Sequence, residues 1–382
     1  MYDQISGYTL YMMFYSGVTV LSLIACCYLL FRRSNAFAPD ITSPVRLRKW
    51  TAAFFAAATL SHLWFLTPGF TSSADDAKLC ILLSGLLDSM TVFPLAIVIL
   101  FVMLQDRRRP LWPVAVMVSP LVAVMALCVA SRSFAYLPII YAYLVLLGIG
   151  LIIYMVRALR QYGRWLRDNY ADLEHKEVWQ SFTVLGIFLL MFGIYAISAE
   201  IPVYEYVLQL ANTILICYLL WRVETLSDLS EICRGNEDSC KGQNPPQVIS
   251  CALAPPPPHS SDHDHDDIGL LLQRYCIDTQ IYLQHDLTLA QLAQTIGTNR
   301  FYLSQYFSSQ GVNYNNYINN LRVNHFISLY REAVATSRPF TAQQLAHDSG
   351  YRSYSTFSLA FKQRMGQTVT AWIRDTAQES AT

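Results

Sequence analysis

The chain has 382 residues, of which 53% are hydrophobic and 14% charged, where soluble domains carry about 25% charged residues. Such a composition does not fit a wholly soluble protein. Residues 1–222 hold 16 Lys and Arg and 12 Asp and Glu, and the shorter remainder holds 11 and 15, so the apolar excess lies in the first part. The net charge of +0 says nothing about partners until it is divided by segment.

In chain order, seven stretches meet the requirement for a membrane-crossing helix of mainly apolar residues: about 7–31, 50–68, 79–104, 111–130, 137–156, 181–199 and 203–221. In hydrocarbon each must be helical, because a helix satisfies its own backbone polar groups. The first run has no basic residue ahead of it and is too long for a signal-peptide core, so it reads as a retained membrane helix. The first, third and fifth connections carry 13 basic residues (Arg32, Arg33, Arg46, Arg48, Lys49, Arg107 to Arg109, Arg157, Arg160, Arg164, Arg167, Lys176), whereas the second, fourth and sixth carry Lys78 and Arg132. Positive loops stay inside, which places the N-terminus outside and everything after Arg222 in the cytoplasm.

Within the spans, Asp88 in LLSGLLDSMTVFP and His62 in SHLWF are ionisable. A carboxylate at membrane depth faces the bundle interior and marks either a ligand site or a structural hydrogen bond, and His62 reads more readily as a packed histidine. Asp88 and His62 are thus the candidate ligand-sensing residues. No paired carboxylates, HExxH, GxSxG or phosphate loop accompanies them, so an enzyme is not indicated. The nine Cys include no CxxC pair, and several (Cys26, Cys27, Cys80, Cys128, Cys217) sit in apolar stretches, so neither zinc nor a disulfide framework is called for. No cofactor is implied.

Residues 223–267 carry 2 basic and 9 acidic residues, with Asn244-Pro245-Pro246, the run Pro255 to Pro258, and alternating His and Asp from His259 to Asp267. This composition cannot bury a core and reads as an acidic, semi-rigid tether. Its histidines and aspartates read as a solvated tract rather than a metal site. The stretch Leu220 to Leu229 would prolong the seventh helix as far as the tether.

From 268 to 382 the chain is soluble in character, with 9 basic and 6 acidic residues and helical periodicity throughout, so it reads as all-α. One pattern occurs twice: Leu292-Ala293-Gln294-Thr295-Ile296-Gly297 and Leu345-Ala346-His347-Asp348-Ser349-Gly350. A small Ala lets two helices approach, and a Gly four residues on permits the tight turn of a helix-turn-helix. Leu303 with Phe307, and Phe357 with Phe361, are i, i+4 pairs that would pin each second helix to the first and leave its other face free for a major groove.

On these residues, with Gly311, Tyr317 to Arg322, and the run Gly350 to Thr368, the segment 287–374 resembles the DNA-binding domain of the AraC family of bacterial transcription regulators. The layout as a whole resembles membrane-anchored members of that family. The resemblance implies a seven-helix domain with two helix-turn-helix units joined by a long helix near 313–334. It implies that Phe301, Ser304 and Gln305 face bases from the first unit and Tyr354, Ser355, Ser358 and Leu359 from the second, with Arg300, Arg352, Lys362 and Arg364 on phosphates. Three departures stand out: neither recognition helix offers an Arg for guanine, Leu359 is apolar where a polar reader is usual, and Val369 replaces the usual Pro. Reading would then rest on Gln305, thymine methyl contacts and DNA shape.

The expected organisation is all-α: a seven-helix transmembrane sensor bundle (1–222), the tether (223–267) and a DNA-binding domain (268–382). The expected function is a one-component transcription regulator in the bacterial cytoplasmic membrane. Its expected partners are double-stranded DNA, the lipid bilayer, an unnamed ligand or membrane signal, and a second copy, since dimerisation would add avidity to a domain of only +3. The alternative is a receptor or transporter whose C-terminal domain is a protein-interaction module.

Overall fold

The structure, a computed structural model, describes residues 2–32, 34–131, 135–198, 202–229 and 263–379. The central tether from 230 to 262, with its proline run, lies outside the described residues, as do Arg132 and Glu200. The chain divides into two compact units, Met1–Tyr162 with His175–Arg234, and Gly163–Glu174 with Gly235–Thr382. The assignment of Gly163–Glu174 to the second unit departs from the sequence expectation, which placed it in a loop of the membrane domain.

The first unit comprises α1 (Tyr2–Phe31), α2 (Val45–Trp64), α3 (Ala74–Met90), α4 (Val92–Met103), α5 (Trp112–Ser131), α6 (Leu137–Asn169, as far as Tyr162), α7 (Trp179–Ser198) and α8 (Pro202–Thr225). Helix α1 packs on α2 and α8, α2 on α4, and α7 on α8. Phe54, Phe55, Ala96, Ile97, Ile99, Leu185 and Leu219 are buried between them. Among the described residues, five helical stretches are long and apolar enough to cross a membrane: Thr9–Phe31, Ala74–Met103, Trp112–Ser131, Pro138–Asn169 and Tyr206–Thr225. The expected span at 50–68 is not among them, because α2 carries Arg46, Arg48 and Lys49 in its first turns; α7 is a 20-residue helix whose Trp179–Met191 part is apolar.

Two boundaries differ from expectation for local reasons. The third span is broken at Thr91 (φ −120°, ψ −68°), whose amide closes back on Asp88 O at 3.2 Å. Pro94 has no amide hydrogen to return to Met90, so α4 restarts as a separate helix. Helix α8 ends at Thr225 instead of running to Leu229. The buried Glu224 accepts the amides of Ala36 (2.7 Å) and Phe37 (2.9 Å) and the Tyr28 hydroxyl. Gln105 then receives the amide of Leu229 at 2.9 Å and donates to Ser227 O at 2.9 Å.

The second unit is all-helical apart from one isolated antiparallel bridge, Tyr170 to Thr288, among the described residues. Its helices are α9 (His263–Leu272), α10 (Leu289–Ile296), α11 (Arg300–Ser309), α12 (Tyr314–Ala335), α13 (Ala342–Asp348), α14 (Tyr354–Met365) and α15 (Val369–Glu379). Helix α9 begins at His263, so the end of the His and Asp tract is helical. Two apolar cores form. The first gathers Leu272, Cys276, Leu289, Leu292, Ala293, Ile296, Leu303, Phe307 and Ile318, and the second Val323, Phe326, Leu345, Ala346, Phe357, Phe361 and Trp372. Helix α12 supplies residues to both cores and so carries one helix-turn-helix on each half.

Candidate nucleic-acid interface

The start of each short helix is fixed by its own sequence. Thr288 and Gln291 form a reciprocal capping box at α10, Asn299 accepts the amide of Phe301 at α11, Thr341 that of Gln344 at α13, and Ser353 that of Thr356 at α14. Such caps satisfy amides that the first helical turn leaves unpaired, each contributing about 1 kcal/mol. The turns rest on the two glycines of the repeat. Gly297 ends α10 with φ 77°, and Gly350 stands at φ 87°, where a Cβ would lie 2.7 Å from Leu283 O. The first glycine is required by conformation, the second by conformation and space together.

The hydrophobic pairs do what their spacing predicts. Leu303 and Phe307 are buried against Leu292, Ala293 and Ile296. Phe357 and Phe361 close on Phe326 and Trp372, with the Phe326 and Phe357 rings 4.4 Å apart. The opposite faces of α11 and α14 are left open. Phe301 is 54% and Leu359 61% exposed, and Gln305, Tyr354 and Ser355 are exposed as well, with Ser304 and Ser358 half-buried. Apolar side chains held in water beside polar ones on a helix face fit a surface that meets base edges and thymine methyl groups.

The four expected phosphate contacts divide. Lys362 is exposed near the end of α14. Arg352 pairs with Asp286 at 2.9 Å, both half in solvent, a contact that contributes little to stability. Arg300 donates to Asn169 Oδ1. Arg364 is turned onto α12, donating to Asn320 O and, at 2.6 Å, to Asn324 Oδ1, and desolvation there lowers its pKa.

Three residues of this unit escape sequence reasoning. Arg322, 1% exposed, donates to the carbonyls of Tyr282 (2.7 Å), Gln284 (2.6 Å) and His285 (3.3 Å) and lies over the Tyr351 ring at 5.5 Å. Its charge is thereby spent on joining the two halves of the domain. Desolvation lowers its pKa while Tyr351 and Asp172 oppose that shift. Thr356, in the first turn of α14, donates to Glu174 Oε2 at 3.1 Å. Asn315 donates to the carbonyls of Tyr170 (3.2 Å) and Ala171 (2.7 Å). The signal for Asn315 was the cluster of asparagines from Asn313 to Asn320, whose partners lie far away in sequence.

In the first unit, Asp88 and His62 line one cavity of about 560 Å³, together with Tyr11, Tyr15, Gln209 and Asn212. Asp88 is buried and accepts from Ser61 Oγ (2.8 Å) and Trp64 Nε1 (3.0 Å). The His62 ring places Nδ1 2.7 Å from Ala58 O and Nε2 3.1 Å from the Gln209 side-chain amide. Both ring nitrogens thus face oxygen acceptors, the Ala58 carbonyl and Gln209 Oε1. Sequence alone gave no reason to place these two residues in one cavity.

Residues 292–375 match a family described as a helix-turn-helix domain. The chain is 34% identical over 76 residues to the TCP pilus virulence regulatory protein from each of two strains of Vibrio cholerae, a match covering 20% of this chain and 26% of the relative. The chain therefore spans about a quarter of the length of the curated relatives it matches. No solved structure matches it. The capped helix pairs, the two glycine turns and the matched family together show that the C-terminal part of this chain carries a helix-turn-helix domain.

Proposed function

We propose that the protein is a membrane-bound, one-component transcription regulator of the AraC type. Its C-terminal domain binds double-stranded DNA through α11 and α14, and its apolar helices form a sensor bundle. The observation that carries this reading is the pair of recognition helices with open outer faces, each held to one half of α12. Two heads on one rod suit two successive major grooves. Phe301, Ser304, Gln305, Tyr354, Ser355, Ser358 and Leu359 read bases, while Arg300, Arg352 and Lys362 hold phosphates. The similarity to a virulence regulatory protein supports a regulatory role.

Five long apolar stretches and the 13-to-2 asymmetry of basic loop residues support insertion in the bacterial cytoplasmic membrane with the N-terminus outside. The Asp88–His62 cavity is the sensing site. A ligand there acts by binding two states of the bundle unequally, and dimerisation multiplies its effect on DNA occupancy.

Genome-wide occupancy of the full-length tagged protein, beside a Gln305→Ala/Lys362→Ala variant, tests the proposal. Discrete peaks lost in the variant are expected. An absence of peaks across growth conditions would overturn DNA reading in favour of a protein-interaction module.

A further inference from the structure

A short segment contributed from far upstream lies within the helix-turn-helix unit. Ala171 is 1% exposed in the first core, beside Leu287, Leu289 and Ile318. Its amide donates to Leu287 O at 3.2 Å, next to the Tyr170–Thr288 bridge, and its carbonyl accepts from Asn315 at 2.7 Å and Asn319 at 3.5 Å. On one side of this anchor, Asn169 Oδ1 accepts from Arg300, the first residue of α11. On the other, Glu174 Oε2 accepts at 3.1 Å from Thr356, in the first turn of α14.

The segment thus engages the leading turn of both recognition helices at once, five residues apart in its own sequence. The leading turn is the part of a recognition helix that meets base edges. The atoms presented there are oxygens, one of them a carboxylate, and Asp172 lies buried between them near Arg322. Oxygen acceptors, a neutral amide oxygen for Arg300 and a carboxylate for Thr356, fill the hydrogen-bonding positions that phosphodiester oxygens would fill on the same groups.

We infer that residues 163–174 are an intramolecular competitor of DNA: anchored by Ala171, they engage Arg300 and Thr356 in the leading turns of the two recognition helices through Asn169 and Glu174, and DNA takes up those groups only when the segment leaves. The inference rests on the DNA-binding reading above. A tethered competitor acts at high effective concentration, so modest contacts suffice to hold the domain closed. The segment is covalently continuous with α6, so it gives the chain a route by which a change in an apolar helix reaches the reading heads.

The test uses the full-length protein in lipid nanodiscs and a fluorescent duplex of random sequence at fixed low salt. Asn169→Ala/Glu174→Ala is expected to bind at least about fivefold more tightly than wild type, the lower end of ordinary coupling between sites. Asp168→Asn removes a charge from an exposed residue of the same segment and is expected to leave affinity unchanged, which separates release from simple electrostatics. In the wild-type protein, amide exchange at Ala171 should accelerate on adding DNA while α11 and α14 slow. Wild-type binding with no gain in the double variant, an equal gain in Asp168→Asn, or an Ala171 amide that stays protected with DNA bound would each overturn the competitor and leave DNA reading intact. If neither wild type nor variants bind DNA, the regulator reading fails and the competitor with it.

Discussion

The two glycines of the repeated motif answer differently to the same substitution. Gly297→Ala places a Cβ at φ 77° with nothing within 4 Å, so it carries only the cost of a left-handed conformation, about 1–2 kcal/mol. Gly350→Ala carries that cost at φ 87° and also drives the Cβ to 2.7 Å from Leu283 O and 2.8 Å from its Cα. These are backbone atoms that cannot rotate aside, and overpacking of this kind adds about 1–3 kcal/mol. Gly350→Ala should therefore destabilise the domain by about 2–5 kcal/mol, roughly twice the effect of Gly297→Ala. Urea-dependent amide exchange of α14 in the intact, detergent-solubilised protein reads the difference, because the slope with denaturant should stay constant while the midpoint moves. If Gly350→Ala costs no more than Gly297→Ala, the close approach of Leu283 is not a constraint and the reasoning fails.

Three further outcomes are expected. Arg322→Met leaves the carbonyls of Tyr282, Gln284 and His285 without their donor, so the domain should lose about 3 kcal/mol or more, and a loss under about 1 kcal/mol in the same assay would contradict its role as the joint. Burial pushes the Cys276 thiol up to about 12, so maleimide at about pH 8 should leave Cys276 unlabelled until the domain unfolds; mass spectrometry showing rapid labelling in the folded protein would refute this. Burial lowers the pKa of His325, with Asp348 opposing, so the fold favours the neutral ring. Its stabilising share is present above the ordinary histidine value of about 6.5 and is lost as pH falls below it. His325→Gln should flatten the fall in unfolding midpoint between about pH 7.5 and 5.5, and an unchanged slope would dismiss His325 as its source.

What could be read without coordinates was local. The repeat Leu-Ala-x-x-x-Gly, the i, i+4 aromatic pairs and the long helix near 313–334 all depend on neighbours within a few turns, and α12 spans Tyr314–Ala335. What could not be read depends on distant partners. Nothing in Ala-Asp-Leu-Glu, met as part of a basic loop, indicates that Ala171 completes a core assembled mainly from residues after 268. The apolar run 79–104 gave no reason to expect a break, because hydropathy weighs composition and ignores the amide that Pro94 lacks. Arg322 looked like any cation of a DNA-binding domain until its burial and its carbonyl partners showed it joining the two halves of the domain.

The burial of Ala171 also bears on how the protein is made. Helices α10 to α14 are capped by adjacent residues and need little more than local contacts, so they can form as soon as they leave the ribosome. The segment that completes their core was synthesised long before, between two apolar helices, and stays idle until the C-terminus is complete. A fragment beginning at His263 would retain every cap and both glycine turns yet expose an unfilled hollow beside Leu287 and Asn315. Such a fragment should be less soluble than its charge suggests, and supplying residues 163–174 as a separate peptide is the practical route to handling the domain apart from the apolar helices.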